Sequence, residues 1–318
     1  MKILIAGSKG MVGRSLVRQL RKEDKFTVIE ASRDDLDFSN QDEVAKFIAD
    51  NKPDSVIIAA AKVGGILANS SQPAEFIYEN LMIECNLIHQ SYLNNVAKLL
   101  FLGSSCIYPV NSQQPMTETS LLTGKLEPTN EPYALAKIAG IKMCVAYNKQ
   151  YNTDFRAVMP TNLYGPGDNF DYENSHVIPA LMRKIHDAKI KNRKEVVIWG
   201  TGKPLREFMY VDDMVEASLF VFGLDKKEYI QEISSKYSHI NLGTGVEYSI
   251  KDLAKILCEV IGYKGQIVYD YDKPDGSPRK LLDIGLLKRL GWKAKIDIKE
   301  GLEMTYDWYL ENSSMIRK

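Results

Sequence analysis

The chain has 318 residues, with 41 Lys+Arg against 41 Asp+Glu, 45% hydrophobic and 26% charged residues and no low-complexity segment. That balance gives no field to attract nucleic acid or an anionic membrane, and the length allows a large core, as one large domain plus a smaller one. The four cysteines, Cys85, Cys106, Cys144 and Cys258, make no C-x-x-C pair or metal-ligand spacing, so a reduced, cytoplasmic protein without a metal is expected. The N-terminal apolar run is too short for a signal peptide, and no stretch approaches membrane-spanning length.

Lys2–Ala6 has the character of a buried strand, and Gly7-Ser8-Lys9-Gly10-Met11-Val12-Gly13 leads from it into a helical pattern through Leu20. GxxGxxG departs from the commoner GxGxxG, but its glycines serve the same needs: a tight turn, close approach of backbone to a diphosphate, and close helix–strand packing. A second strand, Thr27–Ala31, runs into Ser32-Arg33. A carboxylate at that strand's end would accept hydrogen bonds from an adenosine ribose, and Glu30 is near. Arg33 and Lys9, however, are two cations suited to a 2′-phosphate, so the charge pattern favours NADP(H) over NAD(H). A strand over Asp54–Ala60, the small-residue loop Lys62–Ile66, a helix over Ala74–Asn94 and a strand over Lys98–Leu102 follow, the last running into Gly103-Ser104-Ser105-Cys106. This alternation predicts an α/β, doubly wound parallel sheet, with ligands at the carboxyl ends of the strands, where Ser104 to Cys106 fall.

Asn130-Glu131-Pro132-Tyr133-Ala134-Leu135-Ala136-Lys137 opens the next helix, expected over Pro132–Gln150. Pro132 suits its first turn, and Tyr133 and Lys137, four apart, share one face. A phenol holds its proton to about pH 10, and an ammonium one turn away is expected to lower that value towards neutrality. Taken alone, the same spacing fits an amphipathic helix with a core tyrosine and a solvated lysine. A strand over Phe155–Met159 ends at Pro160-Thr161-Asn162-Leu163. Beyond about residue 165 the alternation weakens: a helix opens near His176, Val196–Trp199 forms a short strand, and segments 240–245 and 273–280 with a closing helix complete a smaller C-terminal α/β region. The chain thus divides into 1–165, dinucleotide-binding, and 166–318, mainly substrate-binding, with some later segments returning to the first.

GxxGxxG, the strand ending at Ser104, and Tyr133-x-x-x-Lys137 together resemble the extended short-chain dehydrogenase/reductase superfamily, with its Rossmann domain. Ala61-Lys62-Val63-Gly64-Gly65-Ile66, Gly103-Ser104-Ser105-Cys106-Ile107-Tyr108-Pro109, Glu127-Pro128-Thr129-Asn130-Glu131-Pro132-Tyr133, Met159-Pro160-Thr161-Asn162-Leu163-Tyr164-Gly165-Pro166 and Asn174-Ser175-His176-Val177-Ile178-Pro179 narrow the likeness. In that order, and with Lys273-Pro274-Asp275-Gly276-Ser277-Pro278-Arg279-Lys280, they resemble the GDP-L-fucose synthase family nearly from end to end. That family carries out the NADPH-dependent 3,5-epimerisation and 4-reduction of GDP-4-keto-6-deoxy-D-mannose.

The resemblance implies roles residue by residue. Tyr133, Lys137, Ser104, Cys106 and His176 would be catalytic: Cys106 and His176 as the acid–base pair at C3 and C5, Ser104 and Tyr133 at the C4 oxygen. Thiol and imidazole, with reference pKa values of about 8.5 and 6.5, can both exchange protons near neutrality. NADP(H) would be held by Gly7, Ser8, Lys9, Gly10, Met11, Val12, Gly13, Arg33, Leu102, Gly103, Ser104, Ser105, Lys137, Pro160, Thr161, Asn162, Leu163 and His176. Lys184, Trp199, Arg206, Asp275 and Lys280 would contact the GDP-sugar, and a homodimer would form through the helices near 77–94 and 132–150. A 4,6-dehydratase of the same superfamily carries Thr-Asp-Glu where this chain has Ser104-Ser105-Cys106. A non-catalytic dinucleotide sensor often lacks the tyrosine or the lysine kept here.

Overall fold

The structure, a computed structural model, describes residues 1–172, 175–233, 237–273 and 275–313; Asn174 and Pro274, quoted in two motifs above, lie outside the described residues. The first half alternates strand and helix: β1 (Lys2–Ala6), α1 (Met11–Leu20), β2 (Thr27–Ala31), α2 (Gln41–Asn51), β3 (Ser55–Ile58), α3 (Ile66–Ser71), α4 (Pro73–Leu93), β4 (Lys98–Leu102), α5 (Glu131–Tyr151) and β5 (Phe155–Pro160). The second half runs β6 (Asn162–Tyr164), α6 (Val177–Ile190), β7 (Glu195–Trp199), β8 (Leu205–Tyr210), α7 (Val211–Gly223), α8 (Lys226–Ile233), β9 (Ile240–Leu242), β10 (Glu247–Ser249), α9 (Ile250–Ile261), β11 (Gln266–Asp270), β12 (Arg279–Lys280), α10 (Gly285–Arg289) and α11 (Ile298–Asn312).

One six-stranded sheet has the order β2-β1-β3-β4-β5-β9, and every pairing in it is parallel. Its inner strands β1, β3 and β4, buried on both faces, are near-continuous runs of Ile, Leu, Val and Ala, as such a sheet requires, while the edge strand β2 exposes Thr27 and Glu30. The order reverses between β1 and β3, which opens a crevice at their carboxyl ends. Gly7 stands there with φ +90°, and a Cβ on it would lie 2.6 Å from the Ala60 nitrogen. Glycine alone tolerates both.

Ile240–Leu242, grouped by its sequence with the C-terminal region, is instead the sixth strand of this sheet, paired with β5. Three residues are too short for a periodic signal; the strand pairs with Val158–Pro160, and the side-chain amide of Asn241 ties it to its surroundings by donating to the carbonyls of Met116 and Asp283, both at 3.0 Å. The third strand is shorter than expected, ending at Ile58, and α2, capped by Asn40 through the Asp42 and Glu43 nitrogens, carried no motif of its own. In the second region β8 is central, with β10 antiparallel on one side and β12 parallel on the other, while β6 also runs parallel to β8. A separate parallel pair, β7 with β11, lies beside it. Apolar clusters fill both faces of the main sheet and the interior of the second region. Among the described residues, no helix is long and apolar enough to cross a membrane, and no group of side chains is arranged to hold a metal ion.

Arg156 on β5 is fully buried. It forks onto Asp154 at 2.7 and 2.9 Å and donates to the carbonyl of Val221 at 2.6 Å, while Lys98 donates to that of Phe222 at 3.0 Å. Two cations thereby close the C-terminus of α7, where carbonyls and dipole favour positive charge. Removing one partner of a buried pair strands the other. Arg156→Met is expected to lower folding stability by about 3–5 kcal/mol, seen as a lower midpoint of thermal unfolding. Asp154→Asn added to it should recover part of that loss.

Candidate active site

Three strand ends build the first part of the site. After β1, the glycine turn delivers the chain to α1 with Gly10 at the N-cap, no side chain capping the helix and no acid in its first turn. Gly13 packs so close that a Cβ there would sit 2.0 Å from the Gly7 oxygen. The free N–H groups of Met11, Val12 and Gly13 and the helix dipole are thus left for an anion, with the buried Ser8 beside them. These residues fit a dinucleotide diphosphate.

At the end of β2, Glu30 pairs with Arg21, so its carboxylate already has a cation as partner. Lys9 and Arg33 remain there as exposed cations. Lys9 reaches Asp34 at 2.9 Å, and Arg33 reaches the Ala61 carbonyl at 3.4 Å and Glu79 at 3.8 Å. Such loosely held cations can close on a 2′-phosphate.

β4 ends at Leu102, and Gly103 follows with its nitrogen 2.9 Å from the Val158 oxygen; a Cβ on it would be 2.4 Å from the Met159 Cε. Ser104 caps a short 3-10 helix, Ser105–Ile107, its hydroxyl 3.5 Å from the Cys106 nitrogen. Tyr108 anchors that turn from below: its hydroxyl donates to Asn241 Oδ1 at 2.5 Å and lies 2.6 Å from His239 Nε2. His239 is wholly buried, and burial pushes its pKa down to about 3, so it serves as a neutral strut.

α5 brings Tyr133 to the same place. Its hydroxyl makes a hydrogen bond with Ser104, and its ring meets Phe76 edge-on at 6.4 Å. Lys137, one turn on, stands 5.8 Å from the centre of the Tyr133 ring and 4.6 Å from that of Phe101. Here the structure corrects the sequence expectation of a lowered phenol pKa. Burial, then the nearby Cys106 and Glu84, raise Tyr133 well above the ordinary tyrosine value. The ammonium is not free to act alone, because Lys137 is itself paired with Glu84 of α4 at 3.0 Å, both side chains buried.

Opposite this group stand Cys106, His176 and Lys280. Burial raises the Cys106 thiol, opposed first by the charge of Lys280 and then by the Ser104 hydrogen bond. His176 precedes α6 and opens to the cleft, yet the protein packed around it and then Lys280 hold its imidazole below the ordinary histidine value. Lys280 is lowered by burial, with Cys106 and Glu127 supporting its charge and Arg206, its register partner on β8, opposing it. The resting forms are therefore thiol and imidazole, with one cation facing both.

The remaining residues form a further group on the second region. Trp199 ends β7 with 67% of its surface exposed, which excludes core packing; Lys184 and Lys273 place their ammonium groups 5.9 and 5.5 Å from its ring centre. Lys184 also donates to the Val197 carbonyl at 2.9 Å. Asp275 is engaged with Thr201, accepting from its nitrogen at 2.9 Å and its hydroxyl at 2.6 Å, and so docks the 275–278 segment beside Arg206. Pro160, Thr161, Asn162 and Leu163 continue from β5 into β6. Thr161 and Asn162 turn their side chains to the Glu207 carbonyl, at 3.3 and 2.7 Å.

Glu207, unread in the sequence, is wholly buried; its carboxylate accepts from the nitrogens of Thr244 and Gly245, both at 2.7 Å, and of Leu282 at 3.1 Å. Glu84 was also missed, although a carboxylate inside the apolar run Leu81-Met82-Ile83-Glu84-Cys85 was a legible anomaly.

A parallel sheet whose first turn leaves helix N–H groups open to an anion, with a tyrosine–lysine pair at a neighbouring strand end, has the architecture of a dinucleotide-dependent enzyme. The chain belongs to the NAD dependent epimerase/dehydratase family, whose model matches residues 3–243. Within that family it is similar to the GDP-L-fucose synthase of Escherichia coli (strain K12), 53% identical over 316 residues that span 99% of this chain and 98% of that protein. A solved GDP-6-OMe-4-keto-L-xylo-heptose reductase from C. jejuni matches with TM-score 0.91 at 40% identity, covering 98% of each chain. A GDP-L-fucose synthetase from Naegleria fowleri bound to NADP matches with TM-score 0.89 at 28% identity, covering 100% of this chain and 96% of that one.

Because Lys280 lowers the Cys106 thiol pKa, its removal should raise it further. In Lys280→Met the pH at which Cys106 becomes alkylated by iodoacetamide, followed by peptide mass mapping, is expected to move up by about one unit. An unmoved profile would mean that Lys280 does not act on the thiol.

Proposed function

We propose that the chain converts GDP-4-keto-6-deoxy-D-mannose to GDP-L-fucose by epimerising C3 and C5 and then reducing C4 with NADPH. The observation that carries this reading is the gathering of a second acid–base pair, Cys106 and His176 with Lys280, beside the Ser104–Tyr133 pair. A simple C4 reduction has no use for it.

The C4 ketone acidifies the hydrogens on C3 and C5. Transfer of the thiol proton from Cys106 to His176 gives a thiolate and an imidazolium, the thiolate stabilised by Lys280. Cys106 takes the carbon-bound proton, and His176 returns one to the opposite face, which restores thiol and imidazole. The second inversion repeats the cycle. Ser104 and Tyr133 hydrogen-bond the C4 oxygen while it carries enolate charge, the state in which such bonds are worth most. NADPH, when bound, supplies the hydride for C4. Tyr133 gives its proton to the C4 oxygen, and Lys137 would hold the nicotinamide ribose. Lys184 and Arg206 carry the charge that a diphosphate needs, and the exposed Trp199 offers a face to the base.

Two further readings concern assembly and place. The outward side of α4 and α5 bears Tyr78, Leu135 and Val145, all more than a third exposed, which supports a homodimer through these helices. The free cysteines and nucleotide-sugar chemistry support a cytoplasmic location. On this reading the chain binds the dinucleotide up to about residue 165 and mainly the substrate after it, with Ile240–Leu242 returning to the first part.

The decisive experiment is product analysis after incubation with GDP-4-keto-6-deoxy-D-mannose, NADPH and deuterium oxide. GDP-L-fucose with deuterium at C3 and C5 is expected; NADPH oxidation with no exchange would mark a reductase alone. Cys106→Ser, whose hydroxyl is a far weaker acid than a thiol, should lose exchange at both carbons, and normal deuterium incorporation would remove Cys106 as the base. Arg33→Ala is expected to raise KM for NADPH by about tenfold and leave KM for NADH nearly unchanged, as the loss of one charge-assisted phosphate contact requires. Equal changes for both cofactors would show that Arg33 does not read the 2′-phosphate.

A further inference from the structure

Glu84 takes no part in the reaction just described, yet its surroundings are built for it. It projects from α4 with 1% of its side chain exposed and meets the Lys137 ammonium, 2% exposed, at 3.0 Å. Gly140, one turn beyond Lys137, makes the room: a Cβ there would stand 2.7 Å from Glu84 Oε2 and 2.5 Å from the Phe101 ring. The cation is thus fixed on one side by the Phe101 face and on another by a carboxylate. An ion pair this deep is costly to desolvate, and well-packed apolar groups would serve stability as well or better. Its retention within contact of the Tyr133 ring needs another account.

The groups that face Tyr133 are Lys137 on its own helix, Ser104 and Cys106 from the turn after β4, Phe76 and Glu84 from α4. Those that face Glu84 are Lys137, Tyr133 and Cys144 from α5 and Cys85 from α4. Lys137 is the cation in this set; burial raises the Glu84 carboxyl, and the charge and hydrogen bond of Lys137, then the Gly140 nitrogen, oppose that and favour Glu84 as its counter-charge. A solitary ammonium one turn from a phenol favours the phenolate, the form that accepts a proton in an oxidation. With a carboxylate against it, the pair exerts a much weaker field on the phenol, which keeps its proton.

We propose that Glu84 is a positioning residue for C4 reduction: it fixes Lys137 against Tyr133 and, as its counter-charge, keeps Tyr133 protonated as the proton donor. This inference rests on the reading of Tyr133 as donor. The raised pKa of the phenol, to which Glu84 contributes, agrees with it.

The test is the pH dependence of kcat for NADPH oxidation with saturating GDP-4-keto-6-deoxy-D-mannose, with NADPH binding followed by fluorescence and folding by thermal melting. Glu84→Gln keeps the shape and removes the charge. Its alkaline fall in kcat is expected at least about one pH unit below that of the unaltered enzyme. Glu84→Asp keeps the charge but withdraws it from Lys137, so kcat should drop several-fold while the alkaline limb stays in place. An unmoved limb in Glu84→Gln, or a limb in Glu84→Asp that moves as far as in Glu84→Gln, overturns the proposal. Where Glu84→Gln is unfolded or inactive, Glu84→Asp decides: unchanged kcat refutes the positioning role, and a several-fold loss with an unmoved limb and intact NADPH binding supports it. Tyr133→Phe separates the two levels. Wild-type-like NADPH oxidation in that variant would remove the donor reading itself rather than the role of Glu84.

Discussion

A lysine with almost no contact with water is the constraint around which the first half of the molecule is arranged. The Lys137 ammonium has neighbours in place of solvent, and each of them is supplied by a different element. Glu84 comes from α4, the Phe101 face from β4 and the Tyr133 ring from its own helix. For these to converge, α5 must leave room against α4 and β4 at Gly140, where any side chain would enter both Phe101 and Glu84. The close crossing of two long helices is therefore a condition of the chemistry, and a substitution at Gly140 would disturb the ion pair before it disturbed the sheet.

A second buried carboxylate does comparable work at the junction of the two regions. Glu207 on β8 gathers three backbone N–H groups, from Thr244, Gly245 and Leu282, while its own carbonyl receives Asn162 and Thr161. One residue thus ties the segment after β5 to the ladder that carries Arg206 and Lys280. The carboxylate is satisfied by the ends of loops rather than by a cation, so it fixes geometry without adding a competing positive charge near the acid–base groups.

How much of this the sequence disclosed depended on whether a residue's job was local. β1, β2 and β4 and the helix bearing Tyr133 were legible because apolar runs, glycine turns and Pro132 report on their own neighbourhood. The relation of Ser104, Cys106 and Tyr133 was visible only through motifs taken in order. Long-range placements were not visible: Ile240–Leu242 joins the main sheet through Asn241 and β5, contacts that no short window contains. The same blindness produced the one electrostatic error. Tyr133 and Lys137 share a helix face as expected, but the residue that reverses the consequence lies about fifty positions earlier, on another helix.

The Cys106 thiol and the Tyr133 phenol each face a lysine, and the two lysines have opposite company. Lys280 faces the Cys106 thiol with Arg206 beside it as a like charge, and Glu127 supports it less than Cys106 does. Its field therefore remains to favour a thiolate, which proton removal from carbon requires. Lys137 faces the Tyr133 phenol with Glu84 against it at 3.0 Å, and burial, then Cys106 and Glu84, hold that phenol above its ordinary value. Burial pushes both groups towards their protonated forms. On the proposed reading of Cys106 and Tyr133, what divides a base for epimerisation from an acid for reduction is whether the adjacent ammonium has a carboxylate of its own.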